Sequence, residues 1–352
     1  MRVPYTRSVF RLFSPERRMR EDWDLRARRD ARYYIDCGHA GTEESFWSSG
    51  AEDLESYVLR GIALDPSAEA LEIGCGMGRL LRPLSERVAR VTGVDISGEM
   101  IRRGQEALRD CANIRWLRTD GDLPDTPDAS LDLVYSHIVF QHVPAKAAVA
   151  RYFSEAARVL AGGGVFRFQV DGRPPRRLLG ADTWHGVRYG AAEVRGELGP
   201  LGFDVVDLAG EGTQFLWVTA RRRCEPGRRD AGAVRVLSRE WDAAALDRLC
   251  DRLGVADRGR RDAVLAGAVP LRELADGLLE RHRSASARDY VAAVYRALLA
   301  REPDADGLAH YAGEIERGIH RTNVLDCLLA SAEFDATHRS APADATRTSG
   351  RP

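Results

Sequence analysis

Apolar and polar positions alternate in two different ways along this chain of 352 residues. In the first two thirds, short apolar runs bounded by glycine and polar residues predict strands, and the stretches between them have helical periodicity. Strands separated by helices predict an α/β fold with a doubly wound, mostly parallel seven-stranded sheet. The predicted strands lie at 70–73, 90–95, 113–117, 130–136, 165–170, 203–208 and 214–220.

The last third of the chain is predicted to be wholly helical. Apolar residues recur at helical spacing over 290–299 and 324–329, and Pro303-Asp304 opens a further helix between them. The charged segment 221–232 contains Pro and Gly, lacks periodicity and is the predicted domain boundary. The predicted units are a main domain at 61–221, a linker with helices at 222–282, a small helical interaction domain at 283–338 and a disordered tail at 339–352.

Residues 1–60 precede the first strand of the sheet and are predicted to form a helical lid. One helix begins at Trp23 and passes into an extended piece with Tyr33 and Tyr34, and a second is predicted at 52–62. The two tyrosines either contact a bound acceptor or pack against the edge of the sheet. For Trp23 we predict packing in the core.

A glycine-rich turn after the first predicted strand is the most informative motif of the chain. Gly74, Gly76 and Gly78 alternate with other residues, so the backbone can approach a ligand closely there. Arg79 stands where the dinucleotide-binding fingerprint has its last glycine, which disfavours a nicotinamide dehydrogenase. Asp95, at the tip of the next strand, can accept hydrogen bonds from two ribose hydroxyls. The alternative is a tight turn without a ligand.

The order of these motifs over roughly residues 15–221 resembles class I S-adenosyl-L-methionine methyltransferases. The resemblance implies S-adenosyl-L-methionine as cofactor, a Rossmann-like sheet whose last strand is antiparallel, and N-terminal helices above the cofactor. It also implies a set of cofactor-binding residues, which are Glu72, Gly74, Cys75, Gly76, Gly78, Asp95, Ile96, Asp120, Gly121, Ser136 and His137.

The same resemblance implies a role for the polar members of this set. Glu72 would face the methionine amino group and Asp95 the ribose hydroxyls. Asp120 with Gly121 would contact the amino edge of adenine, for which Asp122 is the alternative. The residues bordering the sulfonium would be Ser136 and His137.

The acceptor of the methyl group has to lose a proton if it is an alcohol, and a positioned base accelerates that step by ~10²–10⁴-fold. His142 and His185 are the candidate bases, because only histidine titrates near neutral pH without perturbation. The alternative for a histidine after a strand is capping of the next helix. The residues predicted to bind the acceptor are Tyr33, Tyr34, Trp184 and Arg188.

Charge and one motif argue against a nucleic-acid partner. The net charge is −1. Enzymes that methylate the exocyclic amines of bases resemble one another in an Asn/Asp-Pro-Pro-aromatic run at the tip of strand four, whereas this chain has Tyr135–Ile138 there. Six dispersed cysteines predict no disulfide framework and no metal site. The chain has no apolar segment long enough to span a bilayer and no signal-peptide core, and we expect a cytoplasmic location.

The C-terminal region resembles a small helical domain of unknown function of the phycobilisome-linker type. The resemblance rests on the run from Tyr295 to Gly307 and on Ser331–Phe334. Asp304 and Asp306 fit helix capping better than calcium binding. Together these observations predict methyl transfer to a hydroxyl, or secondly an amine, of a small-molecule or glycan acceptor. The alternative is a cofactor-binding scaffold whose helical domain binds a protein partner.

Overall fold

A computed structural model of the chain describes residues 15–38, 41–123, 125–174, 182–238, 243–265, 271–329, 331–339 and 343–344. Within these residues, the strands form two sheets. The strands are β1 Ile62–Leu64, β2 Glu69–Ile73, β3 Arg90–Asp95, β4 Ile114–Arg118, β5 Leu131–Ser136, β6 Leu160–Val170, β7 Phe203–Ala209, β8 Leu216–Arg222, β9 Val234–Ser238 and β10 Ala343–Asp344.

The large sheet has seven strands in the spatial order β4-β3-β2-β5-β6-β8-β7. The pairings from β4 to β6 are parallel, whereas β8 is antiparallel to both of its neighbours. The predicted fold class is therefore confirmed, including the antiparallel last strand. Because five parallel strands end at one edge, the loops after β2, β3 and β5 meet there.

Both faces of this sheet are covered, as the period of two along β5 shows. Leu133 and Tyr135 belong to one buried cluster and Val134 to another on the opposite face. The helices of this part are α1 Pro15–Ile35, α2 Glu43–Asp53, α3 Leu81–Ser85, α4 Gly98–Ala107, α5 Lys146–Val159 and α6 Ala191–Leu198, with single turns at Leu54–Val58 and Phe140–His142.

The N-terminal helices differ from the prediction. The helix α1 continues to Ile35 through a break at Asp30 (φ −165°, ψ 90°), so Tyr33 and Tyr34 are helical rather than extended. The helix α2 begins earlier than predicted, because the Thr42 side chain accepts a hydrogen bond from the Ser45 amide and caps it. Residues 1–14 of the predicted lid lie outside the described residues.

The segment after β8 is a packed connection, and the prediction that it is followed only by helices is wrong. The Gly162 amide donates to the Arg229 carbonyl, and the Ala231 amide donates to the Gly162 carbonyl. The strand β9 then pairs antiparallel with β1 and β10 in a small sheet. Of the predicted disordered tail, only Arg339 and the strand β10 are described, and both have ordered contacts.

Seven helices form the C-terminal part of the described chain around a core of their own. They are α7 Ala243–Leu253, α8 Arg258–Leu265, α9 Leu271–Arg281, α10 Ala287–Leu299, α11 Ala305–Glu316, α12 Thr322–Leu329 and α13 Ala332–His338. None of the helices in the described ranges has the length and apolar character that crossing a bilayer requires.

The helical part packs directly against the large sheet. Arg339 donates to the Asp207 carboxylate (2.7 Å) and to the Leu208 carbonyl (3.0 Å), both on β7. The Gln214 amide, just before β8, donates to the Asp326 carboxylate of α12 at 3.3 Å. The contacts join the two parts through buried polar groups.

Candidate functional site

A cavity opens at the carboxyl ends of β2, β3 and β5. In an α/β sheet, ligands usually bind at this end of the parallel strands. The predicted site residues that line it are Tyr34, Glu72, Gly74, Cys75, Gly76, Asp95, Ile96, His137 and His142.

The glycine turn is joined to the end of β3 by backbone hydrogen bonds. The amides of Gly74 and Cys75 both donate to the Val94 carbonyl, at 2.7 and 3.0 Å. The Gly76 amide donates to Asp95 Oδ2 at 2.8 Å. Gly76 has a φ of +53°, and a β-carbon there would lie 2.9 Å from Ile35 Cδ1 of α1. The positive φ disfavours a larger residue at this turn, and a β-carbon would also require the Ile35 side chain to move.

Asp95 presents a buried carboxylate to the cavity. Its second oxygen, Oδ1, accepts a hydrogen bond from the Ser97 amide at 2.8 Å. Burial raises the pKa of Asp95 to about 6, although the amides of Ser97 and Gly76 oppose that shift. A carboxylate with a raised pKa lacks enough donors for its charge, so hydroxyl donors from a ligand would stabilise it.

Glu72 is a second buried acid in the cavity wall. The Tyr135 hydroxyl donates to Glu72 Oε2 at 3.0 Å. Burial nevertheless raises the pKa of Glu72 to about 8. An ammonium group placed beside Glu72 would favour its ionised form.

Arg79 is a lining residue to which the sequence assigned no role in binding. Its guanidinium pairs with Asp36 at 3.2 Å and with Asp53 at 2.7 Å, and it donates to Ser49 Oγ. Within the described part of the chain, the buried Nε of Arg79 has no hydrogen-bond partner. The partners of Arg79 come from the end of α1 and from α2, which are remote in sequence, so no local pattern could have predicted this cluster.

His142 reaches the cavity from the single helical turn after β5. Its Nδ1 lies 2.7 Å from the Trp184 carbonyl, which can only accept, so Nδ1 carries the proton. The other ring nitrogen, Nε2, lies 3.3 Å from the side-chain amide nitrogen of Gln141 and accepts from it. Burial lowers the pKa of His142 to about 4, so the ring is neutral at pH 7 with Nε2 as its basic atom.

Three glutamine side chains fix this arrangement, and none of them was predicted from the sequence. Gln141 Oε1 accepts from Gln169 Nε2 at 3.1 Å and from Gln214 Nε2 at 3.4 Å. Gln169 Nε2 also donates to the Gln214 carbonyl at 2.6 Å. Since Gln141 accepts through its oxygen, its amide nitrogen faces His142. We call Gln141, Gln169 and Gln214 the glutamine network.

Aromatic side chains of the lid cover the His142 end of the cavity. The Trp23 ring contacts His142 edge-on at 5.6 Å, and Trp184 lies 5.1 Å from the same imidazole. Tyr34 packs edge-on against Trp184 at 5.9 Å. Trp23 packs against the hydrophobic core, as predicted, and it also lines the cavity together with Met19 and Ile35 of α1.

His137 is neutral and buried beside the cavity. Its ring stacks on Trp217 at 5.6 Å and on Tyr57 at 6.0 Å. Burial lowers the pKa of His137 to about 4. An uncharged imidazole is compatible with a cationic ligand nearby.

Two predicted cofactor-binding residues, Gly78 and Ser136, contact other parts of the sheet and the turn instead of lining the cavity. Gly78 has a φ of +85°, and a β-carbon there would lie 2.6 Å from Trp116. The Ser136 hydroxyl donates to the Ile73 carbonyl at 3.1 Å, which joins β5 to β2. Their contacts are internal to the sheet and the turn.

The predicted adenine-contacting residues also lie outside the cavity lining. Asp120 forms an ion pair with Arg20 of α1, with Nε 3.2 Å from Oδ1. The Gly121 amide donates to Thr119 Oγ1 at 3.1 Å, and that hydroxyl donates to the carbonyl of Asp122. In this structure the loop is closed on itself and on the lid.

Of the predicted catalytic and acceptor-binding residues, His142 and Tyr34 line the cavity, and the others lie outside its lining among the described residues. His185 is half exposed. The Asp182 carboxylate accepts from its backbone amide and lies 3.5 Å from its Nδ1. Arg188 donates to Asp171 at 3.0 Å, and Tyr33 is exposed beside Tyr34. Trp184 contributes through its carbonyl and its contact with His142. Residues 175–181 of this loop lie outside the described residues.

The sequence was compared with known families. The family described as "Methyltransferase domain" matches residues 71–168. A second family, described as a domain of unknown function (DUF4214), matches residues 278–338, which include the predicted helical domain. The likeness of this domain to phycobilisome linkers stays a prediction.

Two curated relatives are similar over the first of these regions. A trans-aconitate 2-methyltransferase from Azoarcus sp. (strain BH72) is 34% identical over 127 residues, which is 35% of this chain and 47% of the relative. A demethylmenaquinone methyltransferase from Tropheryma whipplei (strain Twist) is 35% identical over 96 residues, which is 27% of this chain and 38% of the relative. The similarity thus spans less than half the length of either relative.

A solved structure with a similar fold is phosphoethanolamine N-methyltransferase 1 of Haemonchus contortus, in complex with phosphoethanolamine and S-adenosylhomocysteine. The TM-score is 0.47 at 17% identity, over 64% of this chain and 53% of that one.

Proposed function

We propose that this chain, whose residues 71–168 match the methyltransferase domain family, is an S-adenosyl-L-methionine-dependent methyltransferase. The observation that carries the proposal is the glycine turn, hydrogen-bonded through Gly76 to Asp95 in the wall of the cavity. The acceptor is a small molecule or a sugar-containing molecule that is methylated on a hydroxyl.

The charges in the cavity wall fit the functional groups of this cofactor. Asp95 would accept hydrogen bonds from the ribose hydroxyls, and Glu72 would face the methionine amino group. Arg79 Nε, which is buried without a partner among the described residues, would donate to the carboxylate. Each of these buried polar groups gains a partner of the right kind, which offsets its desolvation.

When bound, the cofactor would supply a methyl group already activated on a sulfonium, for transfer to the acceptor oxygen with the sulfur as leaving group. The residues of the chain have to hold the acceptor in line and receive its proton. Positioning alone can supply ~7–11 kcal/mol of the barrier. His142 Nε2 is the proposed proton acceptor, because Nδ1 already carries a proton that Trp184 holds. The acceptor hydroxyl would replace the Gln141 amide as the donor to the single lone pair of Nε2.

The lid favours a ring-containing acceptor of modest size. Trp23 and Tyr34 line the cavity near His142, and their ring faces suit contact with the apolar face of a sugar or with another planar group. Met19 and Ile35 complete an apolar cover that would exclude water from the reacting groups.

Calorimetric titration with S-adenosylmethionine and S-adenosylhomocysteine tests the cofactor assignment. We expect micromolar binding of both, lost in Asp95→Ala and retained in Asp120→Ala, since Asp120 pairs with Arg20 outside the cavity lining. A folded wild-type protein that binds neither compound would refute the assignment. Binding without methyl transfer to any hydroxylated acceptor, followed with a labelled methyl group, would favour the scaffold alternative.

A further inference from the structure

Asp326 links the C-terminal helical part to the large sheet through a buried carboxylate. Its Oδ1 accepts from Arg272 Nε of α9 at 2.6 Å, and its Oδ2 accepts from the Gln214 backbone amide at 3.3 Å. Asp326 and Arg272 are 2% and 8% exposed. Each oxygen of Asp326 thus has its own donor, which fixes the orientation of the carboxylate.

Gln214 is at the same time a member of the glutamine network. Its carbonyl accepts from Gln169 and its side chain donates to Gln141. Gln141 in turn donates to His142 Nε2. A continuous series of hydrogen bonds therefore connects α12 with the imidazole that lines the cavity.

We infer that Asp326 is a positioning residue for His142, so that the helical domain is a working part of the methyl-transfer site. The expected effect on methyl transfer rests on the proposed function, whereas the positioning of the His142 ring does not. The domain acts in this way within its own chain, whether or not it also binds a partner.

The physical reason is that an amide can be held in two orientations. Gln141 must present its oxygen to Gln169 and Gln214 for its nitrogen to face His142. Without the acceptor at Asp326, the Gln214 backbone is no longer fixed and Gln141 can rotate. Its oxygen would then face Nε2, which favours the tautomer with a proton there, so that Nε2 could no longer accept one.

Other groups facing His142 come from different elements and are unchanged by substitution at Asp326. They are the guanidinium of Arg26 on α1 and the side chains of Asp182 and His185 in the loop before α6. A change in His142 upon substitution of Asp326 would therefore report on the glutamine network.

The test uses Asp326→Ala in the full chain, with Asp207→Ala as the matched control. Asp207 also joins the two parts, through Arg339, but has no contact with the glutamine network. Nitrogen-15 NMR of the His142 ring, assigned with His142→Ala, should show the Nδ1-protonated tautomer in the wild type and in Asp207→Ala, and a mixture of tautomers in Asp326→Ala. In the same variant we expect kcat to fall by about tenfold while the affinity for S-adenosylhomocysteine is unchanged.

Loss of Asp326 alone leaves the buried Arg272 with Asp276 as its remaining acidic partner and could unfold the helical part. The double variant Arg272→Leu with Asp326→Leu removes both charges together and keeps the apolar packing, and it should give the same ring signals as Asp326→Ala. Asp326→Asn keeps an acceptor oxygen and should restore most of the wild-type signal. A folded Asp326→Ala or double variant with wild-type ring signals would overturn the inference. A wild type that shows the expected tautomer but transfers no methyl group would instead refute the proposed function.

Discussion

The two ends of the cavity are assembled in different ways. At the Asp95 end, the residues come from one stretch of chain between Glu72 and Asp95, and β2 and β3 hold them through backbone hydrogen bonds. At the His142 end, the surroundings of one imidazole come from its sequence neighbour Gln141 and from three remote segments, represented by Trp23, Trp184 and Gln214.

This difference predicts which end of the cavity is affected by substitutions elsewhere in the molecule. The Asp95 end depends on the sheet, the glycine turn and the N-terminal helices, so substitutions in the helical domain should leave it intact. The His142 end depends on the lid, on the loop before α6 and on the helical domain at once. We expect cofactor binding and methyl transfer to respond separately to mutation.

The largest expected effect is at the His142 end. His142→Ala removes the proposed proton acceptor and should lower kcat by ~10²–10⁴-fold. The affinity for S-adenosylhomocysteine should stay close to that of the wild type, because His142 lies away from Asp95 and the glycine turn. Single-turnover kinetics and calorimetry measure the two quantities. The control is His185→Ala, and a loss of kcat there equal to that of His142→Ala would reverse the choice between the histidines.

The next effect is at the Asp95 end. Asp95→Asn keeps the size of the side chain but cannot accept from two ribose hydroxyls and two backbone amides together. We expect the Kd for S-adenosylhomocysteine to rise by about 10²-fold, as for the loss of hydrogen bonds to a charged group. Asp120→Asn is the matched control and should bind normally. Equal losses in both variants would show that the loop at Asp120 opens to contact the ligand.

The pH dependence of binding sharpens the assignment of Asp95. Its raised pKa, about 6, means that the free protein takes up a proton there as the pH falls through that value. A protonated carboxyl accepts fewer hydrogen bonds, so the Kd for S-adenosylhomocysteine should rise below pH 6 by up to about tenfold per pH unit. In Asp95→Asn this step should be absent. A step of the same size in that variant would assign the titration to another group.

The smallest expected effect concerns stability. The pKa of Glu72 is raised from 4.5 to about 8, so between these values the native state holds a proton that the unfolded chain releases. The contribution of Glu72 to the free energy of unfolding therefore declines as the pH rises through this window. Glu72→Gln should stabilise the ligand-free protein more at pH 7.5 than at pH 5.

Urea unfolding at the two pH values measures the difference, with Glu44→Gln as the control at an exposed acid of α2. An equal gain for Glu72→Gln at both pH values would contradict the assignment, because the proton uptake would then lie outside this window.

Much of the sheet could be predicted because its strands have strong local patterns. The run at 90–95 is β3, and the apolar run at 130–136 differs from β5 by one residue. The N-terminal helices were harder to place, because a cap at Thr42 and a break at Asp30 outweigh their weak apolar periodicity. The strand β9 was missed because it is short and its partners β1 and β10 are both remote in sequence.

The sequence by itself determined the parallel sheet, the glycine turn and the acid at the tip of β3, because these follow from spacing within a few residues. Only the tertiary structure decided that His142 rather than His185 reaches the cavity, that Arg79 lies between Asp36 and Asp53, and that Asp326 contacts Gln214. The reason is physical. Burial and hydrogen-bond partners set the charge and tautomer of a side chain, and here these partners come from segments that meet only when the chain is folded.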